Sequence, residues 1–256
     1  MVEINNIEVS DVLDYLKKVD DKSVKLLLSD PPYGISIDDW DVFNDEESYF
    51  NFMYEWLTIA INKITDDGSI YLFNNAYNSV HILKFLQEQG LFFQNWITWY
   101  KKDGFTSIKK RYNRVQETIL FFTKDNKNYT FNYDDVRVPY ESTSRIEAAK
   151  KTGILKNGKR WYPNPNGKLC TDVWEFTSEK NRNRVNGKTM KQFHATQKPV
   201  EMIERIIKAS TNVGDLILDP FMGSGTTALA SKNLNRNFIG CDSNPEYVEF
   251  SLKRLV

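Results

Sequence analysis

The stretch Leu216-Ile217-Leu218-Asp219-Pro220-Phe221-Met222-Gly223-Ser224-Gly225-Thr226-Thr227 limits the fold more than any other part of this chain. A short apolar run closed by proline and glycine reads as a buried strand and a turn, and a helical pattern follows through Leu234. Next come the apolar run Phe238-Ile239-Gly240-Cys241, Asp242 at its end, and a last helix from Pro245. Strand, helix and strand in this order form a β-α-β unit, which belongs to a mainly parallel sheet covered by helices. The glycines stand where a backbone approaches a ligand closely. Asp242 lies 17 positions beyond Gly225, where an acid can hold a ribose diol.

A second strand end lies near the start of the chain. Val24 to Leu28 is a short buried strand, and Asp30-Pro31-Pro32-Tyr33-Gly34 closes it. The two prolines fix φ twice and remove two backbone donors. The turn therefore offers a carboxylate, bare carbonyl oxygens and a flat ring at the carboxyl end of a strand, the rim where open α/β sheets bind ligands. Such a surface suits a planar group carrying an exocyclic NH2. Taken alone, the motif reads equally well as a rigid turn.

Other segments continue the alternation. Val2 to Val9 reads as a strand, and Ser10-Asp11 opens a helix with Val12, Leu13, Leu16 and Val19 on one face. Asp11 is either a first-turn acid favoured by the helix dipole or a ligand contact at a strand end. An acidic loop over 38–47 precedes a helix over 48–63, expected to end at Asp66-Asp67-Gly68. Strands are expected at 69–73, 91–100 and 118–123, with a helix at 80–89 between the first two. Pro199 suits the first turn of a helix whose apolar face carries Val200, Ile203, Ile206 and Ile207.

Charge is balanced over the 256 residues but unevenly placed. Residues 1–100 carry 6 basic against 17 acidic groups, whereas 101–191 carry 21 against 10. The basic block includes Lys101, Lys102, Lys109, Lys110, Arg111 and Arg114, then Lys159, Arg160, Arg182 and Arg184, interleaved with Tyr140, Trp161, Tyr162 and Trp174. Basic residues among aromatics can neutralise phosphates and stack bases, so DNA contacts are expected here. Trp174 is expected to pack a satellite core instead. The two cysteines, Cys170 and Cys241, lack metal spacing, which argues against a disulfide framework or a metal site and for a reducing compartment. The N-terminus carries no signal-peptide pattern and no run is long enough to span a membrane, so a cytoplasmic protein is expected.

Three cofactors compete for the glycine turn. A phosphate-cradling loop would place a lysine where Thr226 stands. A nicotinamide fingerprint could use Ala228, but Asp219 would set a negative charge near the pyrophosphate, and no hydride-relay residue is evident. S-adenosylmethionine has no phosphate and carries an ammonium group, which tolerates or uses that acid. The methyl donor fits best.

Asp30-Pro31-Pro32-Tyr33 first, a basic region second and Asp219-Pro220-Phe221-Met222-Gly223-Ser224-Gly225 last resemble the β group of amino DNA methyltransferases, which act on adenine N6 or cytosine N4. The segment His194-Ala195-Thr196-Gln197-Lys198-Pro199 is similar to the family's His-Pro-Thr-Gln-Lys-Pro motif, departing at Ala195; no acid–base role is assigned to His194. Stretches such as 94–99, 135–143, 154–160 and 185–189 are similar to an adenine-specific member, so the resemblance spans nearly the whole chain.

It implies an α/β fold: a doubly wound, mostly parallel, Rossmann-like seven-stranded sheet, circularly permuted. Residues 1–123 would form its catalytic half, 124–191 an inserted DNA-recognition region and 192–256 its cofactor half. By resemblance, Asp30 and the Pro31 carbonyl accept the target amine, Pro32 shapes the turn and Tyr33 stacks on a flipped-out base. Phe221, Gly223, Ser224, Gly225 and Thr226 would line the methionine end of S-adenosylmethionine, with Asp30 and Asp219 beside them. Asp242 would hold its ribose, Asp11 its adenine and Lys198 its carboxylate. Adenine N6 is the first expected target, because the cytosine enzymes more often carry Ser at position 30. Double-stranded DNA is the expected partner, and the resemblance leaves room for a homodimer and a cognate restriction endonuclease. The rival reading, a non-catalytic nucleic-acid-binding module, accounts for the basic block but leaves both strand-end motifs idle.

Overall fold

A computed structural model of the chain describes residues 2–101, 109–177 and 197–256, with the backbone of two short strands at 184–185 and 188–189. The first half runs β1 (Asn6–Val9), α1 (Val12–Lys18), β2 (Val24–Ser29), α2 (Glu46–Lys63), β3 (Ile64–Asn74), α3 (Ala76–Glu88), β4 (Phe92–Tyr100) and β5 (Gln116–Thr123). A middle region follows: α4 (Thr143–Thr152), the hairpin β6 (Ile154–Lys156) and β7 (Lys159–Trp161), β8 (Val173–Glu175), and the pair β9 (Arg184–Val185) and β10 (Lys188–Thr189). The chain ends with α5 (Val200–Ser210), β11 (Leu216–Asp219), α6 (Thr226–Asn233), β12 (Asn237–Asp242) and α7 (Pro245–Lys253).

The main sheet has the strand order β1-β12-β11-β2-β3-β5-β4-β8. Only the two pairings of β5 are antiparallel. Beyond the seven strands implied by resemblance, the short β8 adds an eighth at the β4 edge, with Trp99 opposite Trp174. Trp174 is buried, stands edge-on to Phe176 and belongs to the same core as Leu26, Leu28 and Ile206. It belongs to the main core rather than to a satellite core, because β8 joins the sheet.

Both faces are covered. Residues alternate along the strands, so Ile70 and Leu72 face a core with Tyr15, Trp56 and Ile82, while Tyr71 and Phe73 face one with Ile203 and Ile207. β2 is buried along its whole length for this reason, which explains its unbroken apolar sequence. Four of the helices, α1, α2, α3 and α7, begin at side-chain caps. Asp45 and Ser48 form a reciprocal capping box at α2, and Asn244 with Pro245 opens α7. The expected turn at Asp66-Asp67-Gly68 lies inside β3: pairing with β2 jumps from Val24↔Ile64 to Leu26↔Ser69, and the extra residues form a bulge.

The functional geometry follows from strand order. From β2 the chain winds toward β3, and from β11 it winds toward β12, so the order reverses between these neighbours. Helices on opposite faces leave a crevice at such a switch point, outside the carboxyl ends of the strands. Asp30 directly follows β2 and Asp219 ends β11.

Candidate active site at the β2–β11 switch point

Pro31 and Pro32 are buried beneath the rim, and Tyr33 turns back over Asp30. The Tyr33 hydroxyl donates to Asp30 Oδ1 at 2.8 Å. Lys198 Nζ reaches the other oxygen, Asp30 Oδ2, at 2.5 Å. That ammonium is 3.5 Å from Glu117 Oε2 and lies 5.6 Å from the centre of the Tyr33 ring. Glu117 is also paired with Lys101 through Oε1.

Two carboxylates thus share Lys198, and one of them has a second lysine. Burial pushes Asp30 above the ordinary carboxylate range; Lys198 pulls it back in part, and Glu117 pushes it up again. Burial also acts on Glu117, but Lys198 and Lys101 together outweigh it and hold Glu117 below its usual value. Burial and both carboxylates raise the Tyr33 phenol, which stays protonated and able to donate.

The loop after Tyr33 is organised by a residue that the sequence did not single out. Asp41 is fully buried and accepts from the backbone N–H groups of Tyr33 at 2.6 Å, Gly34 at 2.7 Å, Ile35 at 3.0 Å and Ile37 at 3.2 Å. A single carboxylate satisfying four amides fixes the turn that follows Asp30 and the loop leading to Trp40. Gly34 takes φ +66°, and a Cβ there would sit 2.9 Å from the Tyr49 ring. The carbonyl of Tyr33 accepts from Asn78 at 2.7 Å and that of Pro32 from Tyr49 at 3.2 Å.

Across the crevice, Asp219 is buried, accepting from the Phe221 amide at 3.1 Å and the Thr227 hydroxyl at 2.6 Å. Burial raises it to about 7 against those two bonds. Gly225 caps α6 with φ +74°, and a Cβ on it would lie 2.7 Å from that of Ser251. Asp242 closes the glycine turn by accepting from the Gly223 amide at 2.8 Å and the Asn244 amide at 2.9 Å. Phe221 packs edge-on against Trp56 at 5.1 Å, tying the turn to the core.

Asp30 lines three adjoining cavities. One of about 460 Å³ also includes Asp11, Trp40, Phe221, Asp242 and Tyr247. A narrow one contains Lys198, Asp219, Gly223, Ser224 and Thr226. The third is walled by Pro31, Tyr33, Trp40 and Asp41. The arrangement fits S-adenosylmethionine: an acid at the end of β12 faces the large cleft, and a buried carboxyl lies beside the narrow one.

The expected residues divide by placement. Asp30, Pro31, Pro32, Tyr33, Lys198, Asp219, Phe221, Gly223, Ser224, Gly225, Thr226 and Asp242 gather at the crevice. Asp11 caps α1, accepting from Leu13 at 2.8 Å, and also lines the large cleft. Lys101, expected at a DNA face, is turned toward Glu117, while Lys109, Lys110, Arg111, Arg114, Lys159 and Arg160 are exposed. Lys102, Arg182 and His194, with the side chain of Arg184, lie outside the described residues. Glu117 and Asp41 were missed. The only signal for Glu117 was a lone acid heading an apolar strand.

The chain matches the model of a family described as DNA methylase over residues 24–253. It is 55% identical to the type II methyltransferase M1.MboII of Moraxella bovis, covering 97% of this chain and 95% of that protein. It is 34% identical to the DNA adenine methyltransferase YhdJ of Escherichia coli (strain K12), covering 99% of this chain and 83% of that one. Among solved structures, the M1.HpyAVI–SAM complex superposes with a TM-score of 0.67 at 27% identity, covering 98% of both chains.

Proposed function

Because this chain belongs to the DNA methylase family, and is an S-adenosylmethionine-dependent methyltransferase acting on DNA, we propose that it transfers the methyl group to the N6 amine of a specific, flipped-out adenine. The observation that carries this reading is the meeting of Asp30 with the Tyr33-walled cavity on one side and both clefts of the glycine turn on the other. The type II relative supports a place beside a restriction endonuclease acting on the same site, and the adenine-specific relative supports the target base.

An amine conjugated to a purine is a weak nucleophile because its lone pair is delocalised. Asp30 and the Pro31 carbonyl accept its two N–H bonds, favour pyramidal nitrogen and aim the lone pair out of the ring plane. Asp30, whose affinity for a proton is raised by burial, is placed to take the proton that the methylated amine sheds. Tyr33 stacks on the extruded base, offsetting part of an unstacking cost of roughly a few kcal/mol. S-adenosylmethionine supplies an electrophilic methyl on sulfur when bound. Asp242 binds its ribose, Asp11 its adenine and Asp219 its ammonium, while Phe221, Gly223, Ser224, Gly225 and Thr226 line its amino-acid end. Lys198 lines the same narrow cavity while holding Asp30. Positioning and fixed electrostatics supply most of the rate. The exposed basic residues 109–111, 114, 159 and 160 face the DNA backbone, with 124–191 as the recognition region between the two halves of the catalytic fold.

The test is transfer of labelled methyl from S-adenosylmethionine to unmethylated genomic DNA, with nucleoside analysis of the digest. N6-methyladenine is expected. N4-methylcytosine would move the target base, and unlabelled DNA despite cofactor binding would overturn the reading. Light scattering at working concentration reads out the homodimer that the resemblance leaves open.

A pH dependence follows from Asp219. Its folded value of about 7 lies above the 3.8 of a free side chain, so the stability it confers is full below pH 4 and is lost as pH rises through 7. A bound ammonium favours the ionised form, so cofactor affinity should rise by at most about tenfold per pH unit up to roughly pH 7 and decline again as the cofactor's own ammonium deprotonates at about pH 8. Calorimetric titration from pH 5.5 to 8.5 measures this. Asp219→Asn, which keeps an acceptor for Phe221, should flatten the rise.

A further inference from the structure

Both oxygens of Asp30 are engaged: Oδ1 by the Tyr33 hydroxyl at 2.8 Å and Oδ2 by Lys198 at 2.5 Å. Each oxygen has a second lone pair, but a target amine set against Asp30 from the Tyr33-walled cavity competes with the Tyr33 hydroxyl for the same side of Oδ1. The Tyr33 hydroxyl already has a second acceptor in reach, Glu117 Oε2 at 3.3 Å. We propose that Glu117 is a positioning residue that receives the Tyr33 hydroxyl when the target amine takes its place at Asp30. This rests on the reading of Asp30 as the acceptor of the amine.

Glu117 is built for that task. It sits on β5 in register with Trp99 of the neighbouring β4, so its backbone is held by the sheet rather than by a loop. Its side chain is only 14% exposed, and Lys101 holds the far oxygen, Oε1, leaving Oε2 turned toward Tyr33 and Lys198. Asp30, Glu117, Lys101 and Lys198 balance in charge, so a hydroxyl passing between the two carboxylates changes no net charge in the pocket. The exchange swaps one charge-assisted hydrogen bond for another, which keeps it close to neutral. Without Glu117 the displaced hydroxyl would be left unpaired in a half-buried pocket, a loss that falls on the base-bound state alone.

The exchange also gives the hydroxyl of Tyr33 a role that a phenylalanine could not fill. A ring at this position stacks equally well without a hydroxyl, whereas only the hydroxyl can hold Asp30 Oδ1 before the base arrives.

The test is a double-mutant cycle on the full chain, with methyl transfer to unmethylated genomic DNA as the rate and calorimetric binding of S-adenosylmethionine as a check on the fold. Glu117→Ala should lower kcat/KM for DNA about 10–30-fold and leave cofactor affinity within about threefold. Glu117→Gln retains an acceptor oxygen and should recover most of the loss. In a Tyr33→Phe background, where no hydroxyl has to move, adding Glu117→Ala should cost less than about threefold. Equal losses in both backgrounds would overturn the inference and leave the methyltransferase reading intact. Should Glu117→Ala fail to bind cofactor, Glu117→Leu, which fills the space but offers no acceptor, takes its place in the cycle, and a loss that persists unchanged with Tyr33→Phe overturns the inference. A wild-type chain that binds cofactor but labels no DNA overturns the proposed reaction and this inference with it.

Discussion

Replacing Asp30 with alanine should lower kcat for DNA methylation at least about 10²–10³-fold, the usual loss when one fixed charge-stabilising group is removed from a reaction centre. Cofactor affinity should stay within a few fold, because Asp219, Asp242 and the glycine turn are untouched. The fold should also survive. Lys198 is only 6% exposed, but it remains 3.5 Å from Glu117, so the deletion does not strand a buried ammonium. Paired measurements of turnover and of cofactor binding decide the matter. Turnover at the wild-type rate would remove Asp30 from the chemistry; loss of cofactor binding together with turnover would make it a structural residue. Asp30→Asn refines the result, since it keeps the shape and one acceptor oxygen but lacks the charge.

Asp242→Ala should fail in the opposite way. The carboxylate spans two backbone amides, Gly223 and Asn244, and closes the turn that faces the large cleft. Deleting it removes the acceptor proposed for the ribose and frees the glycine turn at once. Hydrogen bonds to charged groups contribute about 1.5–3 kcal/mol each, so a cofactor Kd raised roughly 10²–10³-fold is expected. The midpoint of urea unfolding without cofactor should fall as well, since two amides lose their partner. At saturating cofactor kcat should recover toward wild type, the signature of lost binding rather than lost chemistry. An unchanged Kd would refute the assignment of Asp242. Asp242→Asn is the milder probe, retaining an acceptor for one of the amides.

The two variants should separate the halves of the site: one is expected to lose turnover with cofactor binding intact, the other to lose binding with turnover recoverable. Their independence is a consequence of topology. Asp30 and Asp242 stand on strands separated by β11, each fixed by its own turn, so neither depends on the other for its position.

Much of this was legible in the linear chain because the chemistry that encodes it is local. Prolines at 31 and 32 set their own backbone angles, Gly225 takes a conformation costly to other residues, and the caps of α2 and α7 involve neighbours three residues apart or fewer. Apolar runs with period two or near four named the strands and the α5 face, and their alternation defined a parallel sheet. The two acid-ended strands were therefore recognisable from sequence, and the fold brings both ends to one cavity. What sequence left open is every relation that depends on which strands become neighbours. Glu117 reaches Tyr33 and Lys198 only because β5 inserts antiparallel between β3 and β4. Lys101 looks like a phosphate contact in a basic run, yet its ammonium meets Glu117 across the same pairing. Asp41 was one acid among many in an acidic loop until the loop curled four amides around it. Turn and helix signals act over a few residues and survive in one dimension; charge pairing in a buried site acts through space, and only the folded sheet sets those distances.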